Sequence, residues 1–222
     1  MHLLILGGTG PSGIKLIEEA LVASHTIVVY VRSPGKLPEA IASNPSVTVI
    51  EGQLTDVEKL TAALEGVHAV LSALGPPTKT GPVYPSNTPL AHAYAVVIDA
   101  MEQHGVKRLI ALGTASIKDE HDKFSLIFAF LVSGVSIFAH NAYKDIVAVG
   151  ETIRTRGAEA DLDWTIARVP LLTDRESKDV VAGYVGDGRT KTTLSRAAFA
   201  AFVVEELEKN QWNRAAPLIS SP

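Results

Sequence analysis

The chain has 222 residues, with 20 Lys and Arg against 24 Asp and Glu, a formal net charge of −4 and no cysteine. That length suits one large domain with a sizeable core. The missing thiols exclude disulfides, thiolate nucleophiles and cysteine-ligated zinc, and they fit a reducing compartment. The balanced charge leaves no electrostatic footprint for nucleic acid.

Leu3-Leu4-Ile5-Leu6 reads as a buried strand, followed at once by glycines and then by Ile14, Leu16, Ile17, Ala20 and Leu21 at helical spacing. The same short β-branched or apolar runs recur at Thr26–Val31, Val47–Ile50, Ala69–Leu74, Arg108–Leu112 and Trp164–Val169, the last stopped by Pro170. Between them, helices are expected over Asp56–Leu64, Thr88–His104 and Ala142–Arg156. Thr55 or Asp56 would cap the first of these, and Gly66, Gly105 and Gly157 would terminate the three in turn. Strands alternating with helices imply right-handed crossovers and a parallel sheet covered on both faces, an α/β class. After Pro170 the pattern weakens into a polar, glycine-rich stretch at Val180–Arg189 and a further helix at Ala197–Lys209. Residues 1–222 are therefore expected to form a single domain in which 171–222 make a small C-terminal lobe at the substrate site.

Phe124–Ala139 is sixteen residues without a charge, broken by Ser125, Ser133, Gly134 and Ser136. It is too short to span a bilayer, which takes about 20 apolar residues. No membrane span is expected; the segment should cover a pocket or pack against a partner, a second copy in a homodimer included. Met1–Leu6 is too short for a signal sequence before Gly7 interrupts it, so a cytoplasmic location is expected.

Gly7-Gly8-Thr9-Gly10-Pro11-Ser12-Gly13 lies at the first strand-to-helix junction. Glycines suit this place because the chain turns tightly, the backbone must approach a pyrophosphate without Cβ obstruction, and the helix must pack closely on the sheet. Free N–H groups and the positive helix end would then hold the phosphates, so Gly7, Thr9, Gly10, Pro11, Ser12 and Gly13 are candidate dinucleotide contacts in a Rossmann-type doubly wound sheet. NAD sites place an acid about 20 residues further on, for the ribose 2′-hydroxyl. Here the second strand ends in Val31-Arg32-Ser33-Pro34-Gly35-Lys36, without an acid. Arg32 can stack on adenine and bond a 2′-phosphate, Ser33 can donate a hydrogen bond and Lys36 adds charge, which favours NADP(H). Gln53 and Leu54 after the third strand would flank the adenine, and Ala73, Leu74 and Gly75 after the fourth would line the cofactor path.

These segments, together with Gly52-Gln53-Leu54-Thr55-Asp56, Val70-Leu71-Ser72-Ala73-Leu74-Gly75, Gly105-Val106-Lys107-Arg108-Leu109-Ile110, Asp163-Trp164-Thr165-Ile166-Ala167-Arg168-Val169-Pro170 and Leu194-Ser195-Arg196-Ala197, resemble the atypical short-chain dehydrogenase/reductases. The likeness is to their NmrA-like, NAD(P)-binding branch, which includes small flavin and biliverdin reductases. The family usually carries Asp where this chain has Gln53, and its catalytic members use Tyr-x-x-x-Lys, whose Lys also holds the ribose. Here the register is His140-x-x-x-Lys144, with Tyr143 directly before Lys144. On a helix His140 and Lys144 share a face, and an imidazole can deliver a proton during hydride transfer. Thr114 and Ser116 follow the fifth strand, where the family's catalytic hydroxyl orients a carbonyl oxygen; they can equally start a turn. His140, Tyr143, Lys144, Thr114 and Ser116 are thus the candidate catalytic residues. Asp119, Glu120, His121 and Asp122 look like a metal cluster but lack a second ligand set, so no metal is expected.

The resemblance and the residues together point to an NADP(H)-dependent reductase of a small, largely apolar carbonyl or conjugated substrate. Two alternatives stay open: a non-catalytic NADP(H)-binding sensor, favoured by the missing Tyr-x-x-x-Lys register, and a repurposed fold catalysing a redox-neutral isomerisation or cyclisation.

Overall fold

Why the strands are apolar at every position is visible in β1 (His2–Leu6): Leu4 and Leu6 enter one core, Leu3 and Ile5 another on the opposite face of the sheet. Side chains alternate along a strand, so only a sheet covered on both sides demands such an uninterrupted run. In the computed structural model, which describes residues 1–76 and 83–222, the chain continues through α1 (Pro11–Val22), β2 (Thr26–Val31), α2 (Glu39–Ala42), β3 (Val47–Glu51), α3 (Val57–Ala62) and β4 (Ala69–Ser72). It then runs through α4 (Pro89–Gln103), β5 (Arg108–Thr114), α5 (Leu126–Phe138), α6 (His140–Glu159), β6 (Asp163–Val169) and β7 (Leu171–Thr173). It ends in β8 (Val181–Gly183), β9 (Thr193–Ser195), α7 (Arg196–Lys209) and β10 (Leu218–Ser220).

The main sheet has the order β3-β2-β1-β4-β5-β6-β10-β8. Its first seven strands are parallel, and β8 closes the edge antiparallel to β10. This is the expected doubly wound α/β sheet. Its order reverses between β1 and β4, the place where ligands settle in such sheets. Apolar faces of α3, α4 and α6 fill one side; α1, α2 and α7 fill the other.

One local reading changes. Gly157 does not end its helix: α6 runs through it to Glu159, and a Cβ there would come within 2.9 Å of Trp164 Cδ1, so the missing side chain admits the indole of β6. Helix α4 begins at Thr88, whose φ is +48° and whose side chain caps nothing. Its end is capped instead from α6: the fully buried Asp145 accepts hydrogen bonds from the N–H groups of Leu90 and Ala91, both at 2.9 Å, and from the Tyr84 hydroxyl at 2.6 Å. Residues 171–222 are built into the same body. Strands β8 and β10 extend the main sheet, while Phe199 and Val203 of α7 share a core with Leu3 and Ile5; only β7 and β9 stand aside, as a two-stranded parallel sheet.

Two buried ion pairs pin the two ends of β6. At its start, Arg108 donates to Glu206 Oε1 at 2.8 Å and to Thr165 Oγ1 at 2.9 Å, and Glu206 also accepts from the N–H groups of Gln211 and Trp212. At its end, the fully buried Arg168 donates from Nη1 and Nη2 to the two carboxylate oxygens of Asp122, at 2.7 and 2.8 Å. The same guanidinium donates to the Ile117 carbonyl at 2.8 Å, and Asp122 accepts from the N–H groups of Asp119 and Val185. Asp119 faces Arg154 and His121. The acidic run after β5 thus contributes carboxylates to ion pairs within the fold.

Removing one partner of a buried pair leaves the other uncompensated. Glu206→Ala is expected to lower the unfolding free energy by about 3–5 kcal/mol in urea titrations, with Glu206→Gln costing less because it keeps the hydrogen-bond acceptor. For Asp122, burial pushes the carboxyl up, but Arg168 and the two backbone N–H groups outweigh it and hold the group below the usual carboxylate range. Its contribution is therefore complete above about pH 4 and is lost as pH falls through the depressed native value. Wild type and Asp122→Asn should differ in unfolding free energy by a constant amount near neutrality and converge below about pH 4; a gap that stays constant into strong acid contradicts the clamp.

Candidate functional site

Two cavities open at the carboxyl ends of the strands, with the glycine loop between them in the sheet order. The loop's geometry follows from its glycines. Gly7 has φ +77°, and a Cβ on it would meet the Ala73 carbonyl carbon at 2.9 Å and Leu74 N at 3.0 Å, so the turn packs directly on the segment after β4. A Cβ on Gly13 would overlap the Gly7 carbonyl oxygen. Gly10 accepts from Ile14 N at 2.9 Å and starts α1 without a side-chain cap; Pro11 takes the first helical position, where no N–H is needed. The first turn holds no acid. An uncapped positive helix end above a glycine-rich turn, with no acid in the first helical turn, is a chemistry that fits a pyrophosphate.

On the β2–β3 side lies a cleft of about 460 Å³, lined by Arg32, Glu51, Gly52, Gln53, Thr55, Asp56 and Lys59. It brings Arg32 and Gln53 together, as the strand ends implied. A Cβ on Gly52 would overlap the Tyr30 hydroxyl, which donates to the Gln53 carbonyl at 2.9 Å and thereby sets the strand end. Lys59 and Glu51 escaped the sequence reading. The pairing of Asp56 with Lys59 was readable as a three-residue helical spacing: Asp56 accepts from Lys59 N at 3.2 Å and faces its ammonium at 3.7 Å. Asp56 is thereby engaged with its own helix, while the exposed Arg32 guanidinium reaches the cleft. Ser33 precedes and Lys36 ends a short 3₁₀ turn, Pro34–Lys36, and Leu54 packs against the core; none of the three lines the cleft.

On the β4–β5–β6 side lies a cavity of about 380 Å³. Its walls are Pro76, the Thr114–Ser116 turn after β5, Val169, Pro170 and Leu171 after β6, and the inner faces of α5 and α6. Helix α5 supplies Phe128, Leu131, Val132 and Val135, so the uncharged segment does cover a pocket. From α6 come Ala142, Tyr143 and Ile146. Thr114, Ser116 and Tyr143 are thus three hydroxyl-bearing residues in the wall of an apolar chamber. Thr114 Oγ1 accepts from Ser116 N at 3.2 Å and shapes the turn, and a further bond from Ile117 N to the Thr114 carbonyl closes it. Leu171 is the only wall from 171–222 among the described residues, so α5 and α6 shape this chamber more than the C-terminal segment does.

His140 and Lys144 do share a helix face, but that face is exposed and neither residue lines the cavity. His140 Nδ1 lies 3.3 Å from the Ser136 carbonyl at the α5–α6 corner. Ala73 and Leu74 lie half-buried under the glycine loop and Gly75 is exposed beyond them; the Ser72 hydroxyl, fixed 2.7 Å from the Tyr94 hydroxyl, accepts from Leu74 N at 3.3 Å.

Comparison with known proteins agrees with the fold. A stretch of 125 residues is 30% identical to isoeugenol synthase 1 of Clarkia breweri, covering 53% of this chain and 36% of that protein; the chain thus spans little more than a third of this relative. Among solved structures, a short-chain dehydrogenase/reductase from Veillonella parvula in complex with NADP superimposes with a TM-score of 0.79 at 19% identity, over 100% of this chain and 94% of the other. ChuY, an anaerobillin reductase from Escherichia coli O157:H7, does so with a TM-score of 0.72 at 20% identity, over 100% and 98% of the two chains. Residues 7–210 match the NAD(P)H-binding family, and the chain belongs to that family.

Proposed function

We propose that the protein is an NADP(H)-dependent reductase of a small, largely apolar carbonyl or conjugated acceptor. The observation that carries this reading is the apolar chamber at the ends of β4, β5 and β6, walled in part by Thr114, Ser116 and Tyr143 and set beside an uncapped glycine loop. When bound, the dinucleotide supplies the hydride. The chain's own work is to seat the acceptor, exclude water and manage one proton. Apolar side chains of α5 and β6 would seat a lipophilic body, and the Tyr143 hydroxyl would donate to the acceptor oxygen, oriented by Ser116 and Thr114. Tyr143 takes this role ahead of His140 because it alone of the two lines the chamber. At the other end of the site, the preference for NADP(H) rests on Arg32, whose guanidinium matches a 2′-phosphate in charge and shape.

Arg32→Ala is expected to weaken NADPH binding by roughly ten- to a hundredfold, the worth of a charge-assisted hydrogen bond, while NADH binding changes little. Fluorescence titration with each nucleotide measures this, and equal losses for both would remove the NADP preference. Tyr143→Phe should lower kcat for NADPH oxidation by about 10²–10⁴-fold without altering nucleotide affinity. The acceptor comes from a screen of quinones, flavins, aldehydes and enones. Tight NADPH binding with no oxidation across that screen would replace the reductase with a nucleotide sensor, and conversion that persists without nucleotide would replace it with redox-neutral chemistry.

A further inference from the structure

Helix α5 has two apolar faces, and the chamber uses only one. Its outer face, with Phe124 two residues before the helix, exposes Phe124 (84%), Leu126 (73%), Ile127 (62%), Phe130 (80%), Ile137 (72%) and Phe138 (78%). The three phenylalanines alone present on the order of 400–600 Å², as much as the largest apolar patch of an ordinary monomer. We propose that this outer face of α5 docks on an anionic lipid surface, lying among the headgroups without crossing the bilayer.

Length and packing define the mode of contact. Thirteen residues make a helix of about 20 Å, short of the roughly 30 Å hydrocarbon core. No single helix among the described residues is long and apolar enough to cross a membrane. Continuation into α6 does not extend the reach, because the chain bends by 117° at the junction and α6 buries Ile146, Val149 and Ile153 in the protein core. A convex apolar helix held flat on the body is the form that lies in an interface.

Charge selects the occupant. Lys123 precedes the helix, and His140 and Lys144 follow it; all three are exposed. Nearby acids are largely turned inward: Asp119 to Arg154 and His121, Asp122 to Arg168, and Asp145 to the start of α4, leaving Glu120 as the exposed exception. An apolar ridge with a cation at each end complements anionic headgroups above acyl chains. It is a poor match for a parallel copy of itself. Parallel pairing of two α5 helices sets Lys123 against Lys123 and Lys144 against Lys144, so like charges meet.

The test is co-sedimentation of the full chain with phosphatidylcholine vesicles, with and without phosphatidylserine. Expected is binding to the phosphatidylserine vesicles that weakens with salt and is much lower on phosphatidylcholine alone. Phe130→Asp combined with Ile137→Asp should abolish it while the circular dichroism spectrum stays native, since both side chains are exposed. Lys123→Glu should weaken it by at least about fivefold, the worth of one basic side chain at such a surface. The proposal is overturned if the wild type stays in the supernatant with the phosphatidylserine vesicles, or if the double variant binds as the wild type does. It is overturned equally if sedimentation velocity shows a dimer that the double substitution dissociates while vesicles are ignored.

Discussion

The Arg168 guanidinium is the constraint around which the chamber is organised. It is fully buried at the end of β6, and its Nη1 and Nη2 donate to the Ile117 carbonyl and both oxygens of Asp122. A charge at that depth is tolerable only if it is paired and hydrogen-bonded. Meeting that demand draws the loop after β5 across the end of β6. The Thr114–Ile117 turn is thereby fixed, and with it two hydroxyl-bearing residues of the chamber wall. Through Val185 N the same carboxylate ties in the stretch after β8, so one ion pair fixes three segments distant in sequence.

A comparable economy governs the other wall. Asp145 lies on α6 two residues from Tyr143, and by accepting from the first-turn N–H groups of α4 it locks α6 against its neighbour. Burial raises the Tyr84 hydroxyl well above its ordinary pKa, and the bond to Asp145 adds to this, so the donor keeps its proton. Tyr143 is therefore presented to the chamber by a rigid helix, the condition a positioned proton donor needs. Helix α5 contrasts with it. It packs on α6 by one apolar face and leaves the other bare, which makes it both roof of the chamber and outer surface of the protein.

Much of the fold was legible in the chain itself. Uninterrupted apolar runs gave the parallel strands because a sheet covered on both faces offers no solvated position, and Gly7-x-x-Gly10-x-x-Gly13 located the phosphate loop because each glycine answers a local steric demand. Where reading stopped, the cause was contact between distant segments. Gly157 looked like a helix end, but the space it leaves is taken by Trp164. Thr88 marked the start of a helix correctly, but nothing local announced that its first N–H groups are capped from α6. His140 and Lys144 had the right spacing for a shared face, yet spacing says nothing about which way that face points.

Order along the chain determined the layered α/β body, the glycine turn and the cationic end of β2, because these depend on residues near one another in sequence and on the short-range geometry of strand, turn and helix. Which hydroxyl-bearing residues line one chamber, which side of α6 faces it, and which half of α5 is left to solvent were decided only by tertiary structure. The reason is that each depends on how Arg168, Asp122 and Asp145 find their distant partners across 46 to 63 positions of sequence, a closure that local pattern does not encode.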